Sequence, residues 1–257
     1  MNNEQQLINR HIDHVMRRCP DANTQDLLSY INGCTWRNTN VEIGRGEDAT
    51  VYKVCRTCND NEDEKCDFVV KVINNANLPR KELYMSREVF FQNEFNNLGL
   101  APTLYDSFIC DDKGYIISDK KDYDIQSYIK ALKKQNIPQN EIKDIITQIY
   151  KNLIIIVTDL HNNNQLVHGD IHKNNVMIDL QFKDLNLIKS WTNIQFIDFN
   201  KACYTDEIEY ANSRDINLDL DTILIELKLT FDMIIKDVNL SNLPPPAPRK
   251  SNKSGRF

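Results

Sequence analysis

The segment Leu166 to Ile178, LVHGDIHKNNVMI, constrains this chain more than any other, together with FIDFN at Phe196 to Asn200. Asp170 and Asn175 stand between two apolar stretches, and Asp198 closes a further strand-like run. Polar groups left unpaired in an apolar setting are costly, so a loop carrying His, Asp and Asn between buried segments needs a reason. The order of these residues lets three side chains that handle protons or metal ions converge on one site. Phosphates with a divalent cation satisfy such a set.

Upstream, Val41 to Val54 (VEIGRGEDATVYKV) reads as a strand, a Gly44-Arg45-Gly46 turn and a second alternating strand. Glycines let a backbone approach phosphates and adopt positive φ, and the exposed N–H groups bind anionic oxygens. By itself such a turn is an ordinary hairpin. The next strand, Asp67 to Ile73 (DFVVKVI), places Lys71 among β-branched residues, where a buried lysine needs an anion. A helix over Arg80 to Asn97 follows, carrying Glu88 and Glu94.

Taken in sequence, the glycine loop, strand lysine, helix glutamate, loop Asp with Asn, and strand-end Asp resemble the protein-kinase superfamily. The order, rather than any one motif, makes the resemblance specific, and it covers roughly Val41 to Lys236. It implies an α+β, two-lobed fold: a small lobe with an antiparallel sheet and one main helix, and a minimal, mostly helical large lobe. It also implies ATP and Mg²⁺ as ligands, with a protein substrate. Ile43, Gly44, Gly46, Val51 and Lys71 would contact the nucleotide, Asp170 would accept the substrate hydroxyl proton, and Asn175 with Asp198 would hold the metal. Glu88 is the favoured partner of Lys71, because its distance to the Leu100-Ala101-Pro102 exit is the more usual one, with Glu94 as the alternative.

The chain departs from that pattern in three places. Ala49 replaces the third glycine, Gly169 stands where an arginine is usual, and Asn200 ends the metal-binding triplet. None removes a reacting group. The Gly169-Asp170 pair with His172 is similar to the loop of aminoglycoside phosphotransferases and other atypical kinases, and conventional Ser/Thr kinases carry lysine at the His172 position. The resemblance therefore implies an ATP-dependent phosphotransferase of Ser/Thr protein-kinase type, similar to small viral-type kinases. A small-molecule phosphotransferase and a nucleotide-binding pseudokinase are the alternatives. Without the arginine, a phosphate on the following segment lacks its usual partner, so activity is expected to be constitutive.

Length and a 41% hydrophobic composition suit one two-lobed unit with a sizeable core. A net charge of -6 argues against bulk nucleic-acid binding. No segment is apolar and long enough to span a bilayer, and the polar start MNNEQQLINR lacks the apolar region of a signal peptide, so a soluble intracellular protein is expected. Seven cysteines, an odd number, in a reducing location argue against a disulfide framework. Cys55, Cys58 and Cys66 have thiolate spacing suited to zinc, but a fourth ligand is not evident. The acidic run Asp60 to Glu64 reads as a solvated loop tip.

Residues 1–40 read as a helical extension, with Leu7, Ile8, Ile12, Val15 and Met16 on one stripe. The small lobe spans 41–118, with strands near 41–54, 67–73, 104–109 and 115–118, and the truncated large lobe spans 119–242. Ser118 to Tyr123 reads as a polar hinge where the nucleotide base would sit. Pro138 opens a helix whose Ile142, Ile145, Ile146, Ile149, Leu153, Ile156, Val157 and Leu160 mark a buried face. A helix over Asp215 to Ile235 closes the lobe. Leu243 to Phe257 (LPPPAPRKSNKSGRF) has a composition that builds no core; it reads as a disordered tail that can offer a polyproline segment to a partner.

Overall fold

Strict alternation along Phe68 to Ile73 organises the first lobe. Phe68, Val70 and Val72 point into one apolar cluster with Trp36, Val54, Phe108 and Ile117, while Val69, Lys71 and Ile73 line a cleft on the other face. This period of two is the geometry of a strand buried on both sides. The structure, a computed structural model, describes residues 17–19, 27–31, 33–46, 48–58, 63–180, 191–205 and 217–234.

In chain order the first lobe contains β1 (Arg17–Arg18), β2 (Leu27–Ile31), β3 (Cys34–Arg45), β4 (Ala49–Cys58), β5 (Lys65–Asn74), helix α1 (Pro79–Asn97), β6 (Leu104–Cys110) and β7 (Lys113–Asp119). The strands form one seven-stranded sheet in the order β1-β6-β7-β5-β4-β3-β2. Every pairing is antiparallel except β1 with β6. Pro79 begins α1, where its missing N–H costs nothing. Met85 and Val89 of α1 pack on Ile73, Ile109 and Ile116 of the sheet. Further along the same helix, Phe91 and Phe95 belong to the core of the second lobe. One helix is thus bolted to both halves.

The second lobe continues with β8 (Tyr123–Asp124), α2 (Ile125–Lys134), α3 (Gln139–Asp159) and a wider π-type turn at Leu160–Asn164. Then come β9 (Leu166–Val167), β10 (Val176–Leu180), β11 (Trp191–Phe196), a 3₁₀ turn at Phe199–Lys201, β12 (Cys203–Tyr204) and α4 (Asn217–Ile234). The stripe Ile142, Ile146, Ile149, Leu153 and Val157 of α3 lies in the core with Phe196, Phe199 and Ile223. Two small antiparallel pairings frame the loop between β9 and β10: Val167 faces Cys203, and Val176 faces Phe196. The residues between them are therefore held at both ends. Among the described residues, no helix is long and apolar enough to cross a membrane.

Two expectations differ from the structure. The described part of residues 1–40 is strand, not helix: β1 and β2 are the two edges of the sheet, and the start of β3 lies beside β2, with Trp36 against Phe68 and Tyr105. The apolar stripe at 7–16 lies outside the described residues, as do the tip of the connection between β10 and β11 and the proline-rich tail. Second, cysteines do pair, as Cys19–Cys110, Cys34–Cys58 and Cys55–Cys66. Cys34 and Cys58 are direct cross-strand partners, and Cys55 and Cys66 face each other across the bulge between β4 and β5. Cysteine number cannot reveal such facing positions; only strand register can. The absence of a zinc site at Cys55, Cys58 and Cys66, the reading the sequence favoured for want of a fourth ligand, agrees with Cys58 pairing with Cys34 and the other two with each other. Disulfides persist in oxidising surroundings, so the presumption of a reducing location is withdrawn with them. The seventh, Cys203, is buried on β12.

Candidate active site

The cleft between the lobes has a volume of about 650 Å³, and Lys71 stands on its sheet-side wall. Strand register puts Lys71 opposite Val51 on one side and Ile116 on the other, fixing where its side chain emerges. Its ammonium donates to Glu88 Oε1 at 2.6 Å and to Asp198 Oδ1 at 2.9 Å. Burial alone would favour the neutral amine, but Glu88 and then Asp198 outweigh it and raise the Lys71 pKa. Burial pushes the Glu88 carboxyl up although Lys71 pulls against it. For Asp198 burial also acts upward, yet the Lys71 ammonium wins and holds the carboxyl below the usual range. Lys71 is therefore charged, between two carboxylates from separate elements. Glu94 is elsewhere: its Oε2 accepts from the Tyr204 hydroxyl at 2.9 Å.

Across the cleft, the loop from β9 to β10 carries Asp170 and Asn175. His168 is fully buried and pinned by two backbone contacts. Its Nε2 lies 3.1 Å from the Ile197 carbonyl, and the Asp170 N–H donates to its Nδ1 at 3.3 Å. A carbonyl can only accept, so Nε2 carries the proton and the ring is neutral. Burial, the dominant influence, holds the His168 pKa below its ordinary value despite the carboxylates of Asp219, Asp198 and Asp170 nearby. The loop backbone is tied from beneath by Asp219 of α4. Asp219 is 1% exposed and accepts from the N–H groups of His168 and Gly169, each at 2.9 Å. Its position in an apolar helix (NLDLDTILIE) was the available signal, and sequence reasoning did not reach it.

Asn175 donates its Nδ2 to the Asp170 carbonyl at 3.0 Å. Because that partner only accepts, the amide orientation is settled and Oδ1 is the atom left for a cation. The Asn175 carbonyl in turn accepts from Ile197 N at 3.0 Å, which keeps the metal-side loop and Asp198 adjacent. Asp198 adopts a left-handed backbone, φ 68°, an uncommon conformation for a side chain-bearing residue. Beside it, Asn200 Oδ1 is buried with no hydrogen-bond partner. With Asp198 and Asn175 lining the same cleft, the donors on offer are all oxygen, the chemistry that hard divalent cations such as Mg²⁺ prefer. The residues present fit that ion.

Gly44 and Gly46 lie in the β3–β4 hairpin at the cleft mouth. Neither has positive φ, and a Cβ at either would meet nothing closer than 3.8 Å. Their value is bare backbone over the cleft, not turn conformation, which corrects half of the reason for expecting glycine there. Gly46 N donates to Ala49 O at 2.8 Å, so the loop closes on Ala49 without a third glycine. Ile43 and Val51 line the same wall, with Met177 from β10 also at the cleft. Met177 was not anticipated. Ser118, Asp119, Lys120 and Lys121, read from sequence as the hinge, line the cleft as well.

The protein kinase domain family matches residues 37–215; the chain belongs to that family. Among solved structures it is similar to the crystal structure of the BubR1 kinase domain, with a TM-score of 0.59 at 14% identity, over 96% of this chain and 81% of that one. At that identity the likeness concerns the fold. Comparison with curated protein sequences found no match. Fold, family and cleft together describe a kinase-family phosphotransferase.

Proposed function

We propose that this chain transfers the γ-phosphoryl group of ATP to a Ser or Thr hydroxyl of a protein substrate. The observation that carries the reading is the Lys71 ammonium shared by Glu88 and Asp198, facing a cleft that also receives Asp170 and Asn175. Ile43, Val51 and Met177 offer apolar surface to the adenine ring, and the backbone of Gly44 and Gly46 covers the phosphates. Lys71 holds the α- and β-phosphates. Asp198 and Asn175 would hold Mg²⁺, which when bound neutralises charge on the phosphate oxygens. Asp170 orients the acceptor hydroxyl and takes its proton as the oxygen bonds to the γ-phosphorus; the bond to the bridging oxygen breaks and ADP leaves. The Gly169-Asp170 loop favours a second reading, a small-molecule acceptor.

The test is Asp170→Asn, which keeps shape and removes the proton acceptor. Mg-ATP should still raise the melting temperature of the variant, as a ligand of the folded state does. Transfer to casein should fall by about 10²-fold or more. Running the wild type against aminoglycosides and sugars in parallel separates the two acceptor classes. A wild type that neither transfers phosphate nor shifts its melting with nucleotide would refute both readings.

A further inference from the structure

The proton acceptor assigned above does not stand alone. Lys201 Nζ lies 2.8 Å from Asp170 Oδ1, with the two side chains 41% and 26% exposed. Taken alone, a pair this exposed is worth little and could be an ordinary surface contact. The backbone around it argues otherwise. Gly169, immediately before Asp170, has φ +77°, and a Cβ there would stand 2.5 Å from the Lys201 carbonyl oxygen. The loop and the segment after Asp198 thus touch backbone to backbone at a position where a Cβ would clash with main chain. Lys201 ends the 3₁₀ turn that follows the left-handed Asp198. The next residue is clamped as well, because Arg87 of α1 donates to the Ala202 carbonyl at 2.9 Å, and Cys203 pairs with Val167. The two residues that follow the lysine are fixed, and a 3₁₀ turn precedes it, so its side chain emerges at a set place on the cleft wall.

Four other cations of the cleft are paired with carboxylates away from Asp170. Lys71 is shared by Glu88 and Asp198, Lys81 pairs with Asp48, Lys121 with Asp179, and Arg45 with Glu42. His172, two positions after Asp170, holds no carboxylate in this arrangement; its Nδ1 accepts from Asn174 N at 3.2 Å. Among the described residues that line the cleft, the cation on the proton acceptor is Lys201.

We propose, on the reading that this cleft transfers phosphoryl groups, that Lys201 is a catalytic residue whose ammonium bridges Asp170 and the oxygens of the γ-phosphoryl group. Lys201 forms and breaks no covalent bond and keeps its proton throughout. It brings a positive charge to where the transferred group carries its negative charge, and it aligns the Asp170 carboxylate with the incoming hydroxyl. Gly169 is the companion change: only a residue without Cβ lets the lysine-bearing segment lie this close.

The experiment compares wild type, Lys201→Met, Lys201→Arg and Gly169→Ala, each checked for folding by thermal melting. Calorimetry measures binding of Mg-ADP and of the magnesium complex of the β,γ-imido analogue of ATP, and casein phosphorylation gives kcat and KM. Lys201→Met should weaken the imido analogue about tenfold, leave ADP within about twofold, and lower kcat by about 10²-fold or more, the scale for removing one transition-state donor. Lys201→Arg, which keeps the charge, should recover most of the discrimination between the nucleotides. Gly169→Ala should resemble Lys201→Met. Equal weakening of both nucleotides, or unchanged discrimination with kcat within about threefold of wild type, overturns the inference while leaving the proposed function standing. A wild type that binds neither nucleotide overturns the proposed function as well.

Discussion

Asp219 on α4 accepts the backbone N–H of Gly169 at 2.9 Å, across a sequence separation of 50. With the companion bond from His168 N, one buried carboxylate fixes the backbone on which Asp170 rides. His161 Nε2, 3.2 Å from the same carboxylate, completes its surroundings.

Asp219→Ala leaves two buried backbone donors without acceptors, a cost on the order of 3 kcal/mol in unfolding free energy. Urea denaturation should report that loss, and phosphoryl transfer should fall with it because the loop loses its anchor. Asp219→Asn keeps one acceptor oxygen and should lose less. Equal stability of all three proteins would mean that the loop is held by its strands alone.

Acidification should destabilise the protein through His168. Its folded-state pKa lies below the ordinary value of 6.5, so below neutrality the unfolded chain binds the proton that the folded one refuses. Stability from this group is full above about pH 7 and declines as the pH falls through the unfolded value near 6.5. Glu88, whose carboxyl is pushed up, acts in the opposite sense. A His168→Gln variant retains Glu88, so the difference in its unfolding free energy from wild type between pH 7 and 5 isolates the histidine. The wild type should show the steeper fall; identical slopes would mean that the ring binds its proton equally well in the folded and unfolded states.

Glu88 and Glu94, six positions apart on α1 and both candidates on sequence, should separate by mutation. Glu88→Gln removes the closer partner of Lys71, and misplacing that ammonium should cost about 10²-fold in phosphoryl transfer. Glu94→Gln removes a contact to the Tyr204 hydroxyl and should stay within about threefold. Steady-state kinetics with one protein acceptor decides this, and a reversed ranking would put the activating pair elsewhere.

Reductant should loosen the small lobe. The three disulfides close separations of 91, 24 and 11 residues. Chain entropy assigns the longest about 4–5 kcal/mol and the shortest about 3, as upper bounds. Intact mass measured with and without dithiothreitol should differ by six hydrogens. The reduced protein should melt at lower temperature, and Cys19→Ala should be more harmful than Cys66→Ala. An unchanged mass would show that the facing cysteines stay reduced.

Local signals carried the architecture a long way. The alternation of DFVVKVI predicts a two-faced strand with Lys71 on the cleft side, and the isoleucine stripe after Pro138 predicts α3; both depend only on neighbours along the chain. Helix α2 was equally legible and was overlooked, since Ile125, Tyr128, Ile129 and Leu132 recur at helical spacing and Asp124 caps the start by accepting from Ser127 N at 2.6 Å. The β2–β3 extension was harder. A segment such as CTWRNTNV has no clean period until Trp36 finds Phe68 and Tyr105 on neighbouring elements.

By itself the sequence determined which candidate site residues exist and in what order, because Lys71, Asp170, Asn175 and Asp198 each sit in a local pattern that a strand or a loop between apolar runs explains. Only the tertiary structure decided who meets whom. Glu88 rather than Glu94 reaches Lys71 because of how α1 rotates against the sheet. Cys34 meets Cys58 because of strand register, Asp219 reaches Gly169 because α4 packs beneath the loop, and Lys201 reaches Asp170 because Gly169 leaves room. Each of these contacts joins positions far apart along the chain. Their geometry follows from packing, which no single stretch of sequence encodes.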